Sequence, residues 1–229
     1  MIDIHTHILP FVDDGSFDNN LSLNMLKECV HQGITDIVLS PHYRKIYKLP
    51  PNILQSEFEK FNKLVIDANI PINLYLGQEI FIDEYYKQTF TSDKVLTMNK
   101  SKFVLIEFAC ESEVDMPEIV YELKVLGYTP IIAHYERYLS SDLKTAFEIK
   151  ALGGYIQINA DSIVGKNKRF YLRLIKKLFK NDLVDFVASD IHYDRVNYLS
   201  QANKYVQKKF GIDVANKVFA LNAKKIIKG

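Results

Sequence analysis

Ile2-Asp3-Ile4-His5-Thr6-His7 opens the chain as an alternating run that ends in two histidines. Its period of two is that of a β-strand, on which His5 and His7 share one face and Ile2 and Ile4 are expected on the other. The same kind of ending recurs. Asp13-Asp14-Gly15 follows at once, then Ser40-Pro41-His42, Gly77-Gln78-Glu79, Leu105-Ile106-Glu107, Ile132-Ala133-His134 and Ser189-Asp190-Ile191-His192. Five of the six histidines therefore stand where strands are expected to stop, with acidic residues at comparable positions.

Between these endings, apolar runs alternate with amphipathic stretches of helical spacing, the pattern of parallel βα units. Strands are expected near 2–7, 35–41, 72–79, 102–108, 129–134, 154–159 and 184–190. Helices are expected near 18–32, 53–68, 116–127, 141–152, 168–181, 197–209 and 213–226, with 80–100 the least regular part. Gly33, Gly127 and Gly153 fall just past three of these helices, where a left-handed cap is wanted. No Pro-, Gly- or Ser-rich linker divides the chain, so a single domain over 1–229 is expected. Seven parallel strands suit a closed or nearly closed α/β barrel, in which function gathers at the carboxyl ends of the strands.

With 229 residues, 48% of them hydrophobic, the chain can bury a full core. Lysine plus arginine number 29 against 28 acidic residues, so no large net field recruits nucleic acid or a membrane surface. The basic groups Lys166-Lys168-Arg169 and Lys176-Lys177 read as a solvated helix face. No apolar run approaches the roughly 20 residues of a membrane span, and the first strand begins without a leader-like segment, so a cytoplasmic protein without membrane insertion is expected. Cys29 and Cys110 are too few for a disulfide framework and are read as thiols, Cys29 in a helix core.

A lone His-x-His is a weak signal, and one histidine at a strand end is usually a structural hydrogen-bonder. The joint pattern is harder to dismiss. Burying Glu79, Glu107, His134 and Asp190 in one barrel mouth without counter-charge costs on the order of several kcal/mol each. Divalent cations would supply that charge. The set mixes imidazole and carboxylate without thiolate, which suits Mn²⁺, Fe²⁺ or Zn²⁺. His31, on the first helix beside Cys29 and Gly33, is read as structural.

These residues, with Leu105-Ile106-Glu107-Phe108, Ala133-His134-Tyr135-Glu136-Arg137-Tyr138 and Ala188-Ser189-Asp190-Ile191-His192 in order, resemble the polymerase-and-histidinol-phosphatase (PHP) superfamily. Within it the chain looks like the bacterial capsule and exopolysaccharide tyrosine phosphatases of the CpsB/CapC/YwqE type. The resemblance implies a distorted TIM-like (β/α)7 barrel of the PHP type with a trinuclear, manganese-type site. Carried across, it implies that His5, His7, Glu79 and Asp190 hold one ion. Glu79 then bridges to a second with Glu107 and His134, and Asp14, His42 and His192 hold a third. Asp13 is left a turn role. The resemblance also places an arginine after the last Asp-x-His, and Arg195 in Tyr193-Asp194-Arg195 is the nearest match.

Such a centre fits phosphomonoester hydrolysis by in-line attack of a metal-activated hydroxide, without a phosphoenzyme. Arg137, three residues after His134, is the expected phosphate clamp, because its fork matches phosphoryl oxygens. His42 and His192 are the candidates for proton transfer, although a phenol of pKa about 10 leaves without much help. Arg44, Tyr43 and Tyr47 follow His42 on a loop expected to rim the entrance. The positions six after each cysteine are Thr35 and Met116, so the Cys-x5-Arg loop of cysteine-dependent phosphatases is missing. A G-x-x-x-x-G-K-[ST] loop is missing too. The resemblance implies, as substrate, the phosphotyrosine tail of a bacterial tyrosine kinase that controls capsule synthesis. The alternatives are a small-molecule phosphatase of the histidinol-phosphatase kind and a PHP-type nuclease. Near-zero net charge counts against a stable nucleic-acid complex.

Overall fold

The computed structural model describes residues 1–92, 94–168 and 170–228. Arg169, part of the basic group noted above, lies outside them. Among the described residues nine parallel strands appear in chain order: β1 Ile2–Thr6, β2 Asp36–Leu39, β3 His42–Tyr43, β4 Asn73–Leu76, β5 Glu79–Phe81, β6 Phe103–Glu107, β7 Thr129–Ile132, β8 Tyr155–Asn159 and β9 Phe186–Ala188. They pair as β1-β2-β4 and as β3-β5-β6-β7-β8-β9.

Two of the expected strands, 35–41 and 72–79, are each broken near their carboxyl end. Ser40-Pro41 separates β2 from β3, and Gly77-Gln78 separates β4 from β5. Proline supplies no N–H to a ladder, yet the path continues: Gly77 N–H donates to Leu39 O (2.8 Å) and Glu79 N–H to Pro41 O (3.1 Å). Counting each broken pair once leaves seven strand positions. Backbone bonds from Asp190 N to His5 O (2.9 Å) and from His7 N to Ile191 O (3.0 Å) join the last position to the first. Asp3 adds a side-chain stitch, its Oδ1 accepting from Ser189 N–H at 3.1 Å. The result is a curled, distorted (β/α)7 barrel.

Helices cover the outside close to the expected ranges: Asn19–His31, Pro51–Asp67, Met116–Val125, Leu143–Ala151, Tyr171–Lys180 and Leu199–Phe210. Asp18 caps the first, its carboxylate accepting from Leu21 N–H at 2.9 Å. Gly33, Gly127 and Gly153 take the positive φ expected of them. Two short helices, Tyr86–Thr91 and Ala160–Ile163, were not expected from periodicity. The expected helix 213–226 is broken instead into Ile212–Asn216, a π turn over Lys217–Leu221 and Lys224–Ile227. That widened turn buries Val218 and Phe219. Among the described residues no helix is long and apolar enough to cross a membrane.

Strand alternation sorts the buried residues into two layers. Ile37, Leu39, Val104, Ile106, Ile132, Ile156, Ile158 and Val187 face the helices. Val38, Leu105, Ile131, Ala133, Phe186 and Ala188 form an inner cluster, joined by Ile2 and Ile4 and, from the C-terminal segment, Ala223 and Ile226. Ile226 thus plugs the lower end of the barrel, and Asn99 Nδ2 ties that segment down by donating to Ile227 O at 3.1 Å.

Continuing two residues further along several inner rows reaches the polar ends. Val38 leads to Ser40 and His42, Leu105 to Glu107, and Ala188 to Asp190. β1 departs from the expectation that its isoleucines and histidines take opposite faces. Asp3 pairs with Ile37 and Thr6 with Leu39, so β1 carries one extra residue against β2. This bulge resets the alternation. Ile2 and Ile4 join the apolar floor while His5 and His7 stand above it.

Candidate metal centre

Each strand end delivers its polar residue by a local device. His42 opens β3 directly opposite Glu79, which opens β5. Glu107 closes β6. His134 follows β7 in a left-handed conformation (φ 32°, ψ 50°), and Asp190 follows β9 with φ 51°. Such backbones are uncommon outside glycine and are concentrated at functional sites. Asp14 comes from the loop after β1, where Gly15 sits against His7. A Cβ there would stand 2.1 Å from the His7 carbonyl oxygen, so only glycine lets the loop fold back this closely.

All nine expected metal residues converge. His5 Nε2 lies 3.2 Å from Glu79 Oε1 and 3.6 Å from Asp190 Oδ1. His7 Nε2 lies 3.3 Å from Glu79 Oε2 and 3.5 Å from Asp190 Oδ1. His134 Nε2 is 2.9 Å from Glu79 Oε1 and 3.9 Å from Glu107 Oε2. Asp14 Oδ1 faces His42 Nε2 at 3.5 Å and His192 Nε2 at 3.7 Å. His42 is the junction, because its other nitrogen, Nδ1, meets Glu79 Oε2 at 2.9 Å and Glu107 Oε1 at 3.2 Å. Among the described residues three groups have donor atoms close enough to hold an ion: His5-His7-Asp190, His42-Glu79-Glu107 and His7-Asp14-His42-His192, so that His42 stands with Glu79 and Glu107 where the resemblance implies His134. Only Asp14 among the nine is substantially exposed, at 43% of its side chain.

Electrostatics fits a cation-binding pocket. Glu79 is wholly buried, which opposes ionisation, but His5 and His42 hold its carboxyl well below the usual range. Burial likewise opposes the charge on Asp190, and His5 and Arg137 overcome it. Burial disfavours the charged form of His42, yet Glu79 lifts its pKa to about 11. For His7 burial acts in the same direction, and Asp13 raises it to about 9. His192 goes the other way: burial and the neighbouring His7 push it down to about 4.

Three buried atoms sharpen the fit. Glu79 Oε2, Glu107 Oε1 and His42 Nδ1 have no hydrogen-bond partner, although they face one another. Polar atoms so buried are ordinarily satisfied. Carboxylate oxygens and an imidazole nitrogen converging at one point, once that ring gives up its proton, are the donor set of a divalent cation with nitrogen and oxygen preferences. The residues present therefore fit a resident metal centre.

Among the described residues three arginines border it. Arg137 Nη1 lies 3.0 Å from Asp190 Oδ2 with 22% of its side chain exposed, and Arg195 Nη1 lies 3.4 Å from the same oxygen. Both line a cavity of about 240 Å³ with Asp190 and Lys166. Arg44 Nη2 instead pairs with Asp14 Oδ2 at 2.7 Å, and its guanidinium lies over Tyr47.

The sequence profile of capsular polysaccharide synthesis, CpsB/CapC, matches residues 1–228. This chain belongs to the CpsB/CapC family. It is 35% identical over 224 residues to the tyrosine-protein phosphatase YwqE of Bacillus subtilis (strain 168), covering 93% of this chain and 87% of YwqE. Against the tyrosine-protein phosphatase CpsB of Streptococcus agalactiae it is 33% identical over 240 residues, covering 100% and 98%. A crystal structure from work on YwqE and on CpsB of Streptococcus pneumoniae, described as unique metal-dependent tyrosine phosphatases, superposes with a TM-score of 0.91. Identity there is 31%, over 100% of this chain and 94% of that one. An organophosphorus hydrolase from Deinococcus radiodurans, 12% identical with a TM-score of 0.64 over 100% and 92%, shares the fold.

In this CpsB/CapC barrel several residues around the nine were not singled out by sequence. Asp13 does more than turn the chain. Its Oδ2 accepts from His7 Nδ1–H (2.7 Å) and from His42 N–H (3.0 Å), while Oδ1 accepts from Gly15 N–H (2.9 Å). Tyr138, whose hydroxyl accepts from Phe108 N–H at 3.2 Å, holds His134 Nδ1 at 3.0 Å. Gln157 and Asn159 rise from β8 beneath His5 and Asp190. The usable signal was Tyr155-Ile156-Gln157-Ile158-Asn159: two amides on one face of an otherwise buried strand need partners.

Proposed function

We propose that this CpsB/CapC-family protein is a metal-dependent protein-tyrosine phosphatase. Its substrate on this reading is the phosphotyrosine tail of a bacterial tyrosine kinase that controls capsule or exopolysaccharide synthesis. Manganese is the proposed ion. His5, His7, Glu79 and Asp190, then Glu79, Glu107 and His134, then Asp14, His42 and His192 are the proposed ligand sets. The observation that carries the reading is the convergence of five imidazoles and four carboxylates beside Arg137, His134 joining through Glu79, in a chain that covers nearly the whole of its phosphatase relatives.

Divalent ions held by these residues supply a nucleophilic water at neutral pH and neutralise phosphoryl oxygens. The chain's own groups do the rest. Asp190 holds Arg137 by one nitrogen, and a guanidinium has five N–H donors, so others remain for the equatorial oxygens of the substrate. Arg137, Arg195 and Lys166 outnumber Asp161 and Asp190 around the same cavity, which favours an anionic group there. Asp13 and Tyr138 keep the rings of His7 and His134 turned toward the centre. No dedicated acid is needed, because a phenolate leaves readily from an aryl phosphate. His42 and His192 flank Asp14 at the exposed side of the site and are ligands there; either ring can pass a proton only while it is free of the ion.

Hydrolysis of a phosphotyrosyl peptide by the full chain, with manganese and after chelation, tests this reading against histidinol phosphate as competitor substrate. The expected result is manganese-dependent turnover of the peptide with the higher kcat/KM. Preference for histidinol phosphate, or turnover indifferent to chelation, would contradict it.

A further inference from the structure

We infer that Gln157 and Asn159 on β8 are positioning residues: they set the tautomer of His5 and aim the carboxylate of Asp190, through hydrogen bonds whose direction one backbone amide dictates. This inference rests on the metal-dependent reading above and names two residues that contribute no ligand of their own.

The chain of bonds begins at the backbone N–H of His134, which can only donate. It meets Gln157 Oε1 at 3.0 Å. Reversing the side-chain amide would set its NH₂ against that N–H, donor against donor, so the oxygen must face His134. Gln157 Nε2 is then free to donate, and it meets Asn159 Oδ1 at 2.7 Å. Asn159 Nδ2 in turn donates to Asp190 Oδ2 at 2.8 Å. Each link admits one polarity. Gln157 and Asn159 are fully buried, which leaves water no access to replace a link.

Two consequences reach the centre. Gln157 Oε1 also stands 3.0 Å from His5 Nδ1. An acceptor at that distance requires the proton on Nδ1, so Nε2 presents its lone pair toward Glu79 and Asp190 at 3.2 and 3.6 Å. At the far end, Asn159 shares Asp190 Oδ2 with Arg137 and Arg195. Oδ1 is thereby left facing His5, His7 and His192 at 3.6, 3.5 and 3.6 Å. The contrast with His7 is chemical. His7 Nδ1 faces a carboxylate, Asp13, whereas His5 faces an amide that fixes the ring without adding negative charge. Hydrogen bonding to the remote nitrogen of a ligating histidine commonly governs its orientation and basicity.

The test uses the zinc-loaded full chain, because zinc is diamagnetic. Long-range ¹H–¹⁵N NMR of the histidine rings should find the His5 proton on Nδ1. Gln157→Leu, which keeps the bulk but accepts nothing, should bind zinc roughly 10–100-fold more weakly in chelator competition. Gln157→Glu restores an acceptor and should keep the His5 Nδ1 proton, but it sets oxygen against Asn159 Oδ1 and so should recover only part of that affinity. Asn159→Leu should weaken zinc binding while leaving the His5 tautomer as it is. A His5 proton on Nε2 in the unmutated chain overturns the inference even if Gln157→Leu does not fold. A folded Gln157→Leu with unchanged zinc affinity overturns it as well. Either result leaves the metal reading standing, whereas an unmutated chain that binds no zinc overturns both.

Discussion

Leu105 and Glu107 stand two residues apart on the inner face of β6, and they answer to opposite demands. Leu105 belongs to a floor of wholly apolar side chains sealed from below by Ile226. Glu107 belongs to a mouth in which its own Oε1, Glu79 Oε2 and His42 Nδ1 face one another, buried and without hydrogen bonds. The floor stabilises the fold by removing apolar surface from water, roughly 25 cal/mol per Å². The mouth opposes stability, since a buried charge costs free energy until a counter-charge arrives. One strand alternation serves both, so stability and chemistry are stacked along the barrel axis rather than divided between domains.

Substitutions at the two levels should therefore fail in different ways. At the mouth, His134→Ala is expected to abolish hydrolysis of a phosphotyrosyl peptide, because it removes a ring that meets both Glu79 and Glu107. Its melting temperature, measured after chelation, should stay close to that of the unmutated chain or rise, as active-site replacements often do. A large loss of stability with activity per folded molecule preserved would erase the distinction. Arg137→Ala comes next. Loss of a donor to developing charge is expected to lower kcat by at least about 10²-fold, with metal content unchanged by elemental analysis. Arg137→Lys should recover little, since the planar fork is lost.

Leu105→Ala breaks the other level. A buried leucine replaced by alanine costs about 2–5 kcal/mol, and at roughly 2–4 °C per kcal/mol for a chain of this size the melting temperature should drop by about 5–20 °C. Turnover per folded molecule should hold below that temperature. The smallest effect is expected from Arg44→Ala. Its partner Asp14 is 43% exposed, and pairs of that kind contribute about 0–1 kcal/mol. Stability should move by less than that, and activity by a few-fold at most.

The strand ends were legible because they combine two strong signals, a period of two and an ionisable residue where the period stops. The seven strand positions and eight of the nine residues of the mouth could be located that way; Asp14, in the loop after β1, came only from the family resemblance. What escaped has physical causes. The bulge in β1 adds a residue to one strand without any compositional mark, so Ile2 and Ile4 were expected opposite His5 and His7 and instead lie below them. The breaks at Pro41 and Gly77 fall at the polar endings Ser40-Pro41-His42 and Gly77-Gln78-Glu79, so each run reads as a strand that stops there and not as one that resumes beyond the break. Gln157 and Asn159 carry no charge, and an amide in a strand gives no hint of what it will touch. Asp13 was legible only as a turn because its three acceptances, from His7, His42 and Gly15, come from residues that the loop assembles on folding.

Anomalous diffraction at the manganese edge, from crystals of the full chain grown with manganese, tests the central claim most directly. Peaks are expected at coordination distance, roughly 2 Å from donor atoms, among His5, His7, Asp14, His42, Glu79, Glu107, His134, Asp190 and His192. Manganese found only elsewhere on the surface, with these side chains satisfied by water or by one another, would contradict the account.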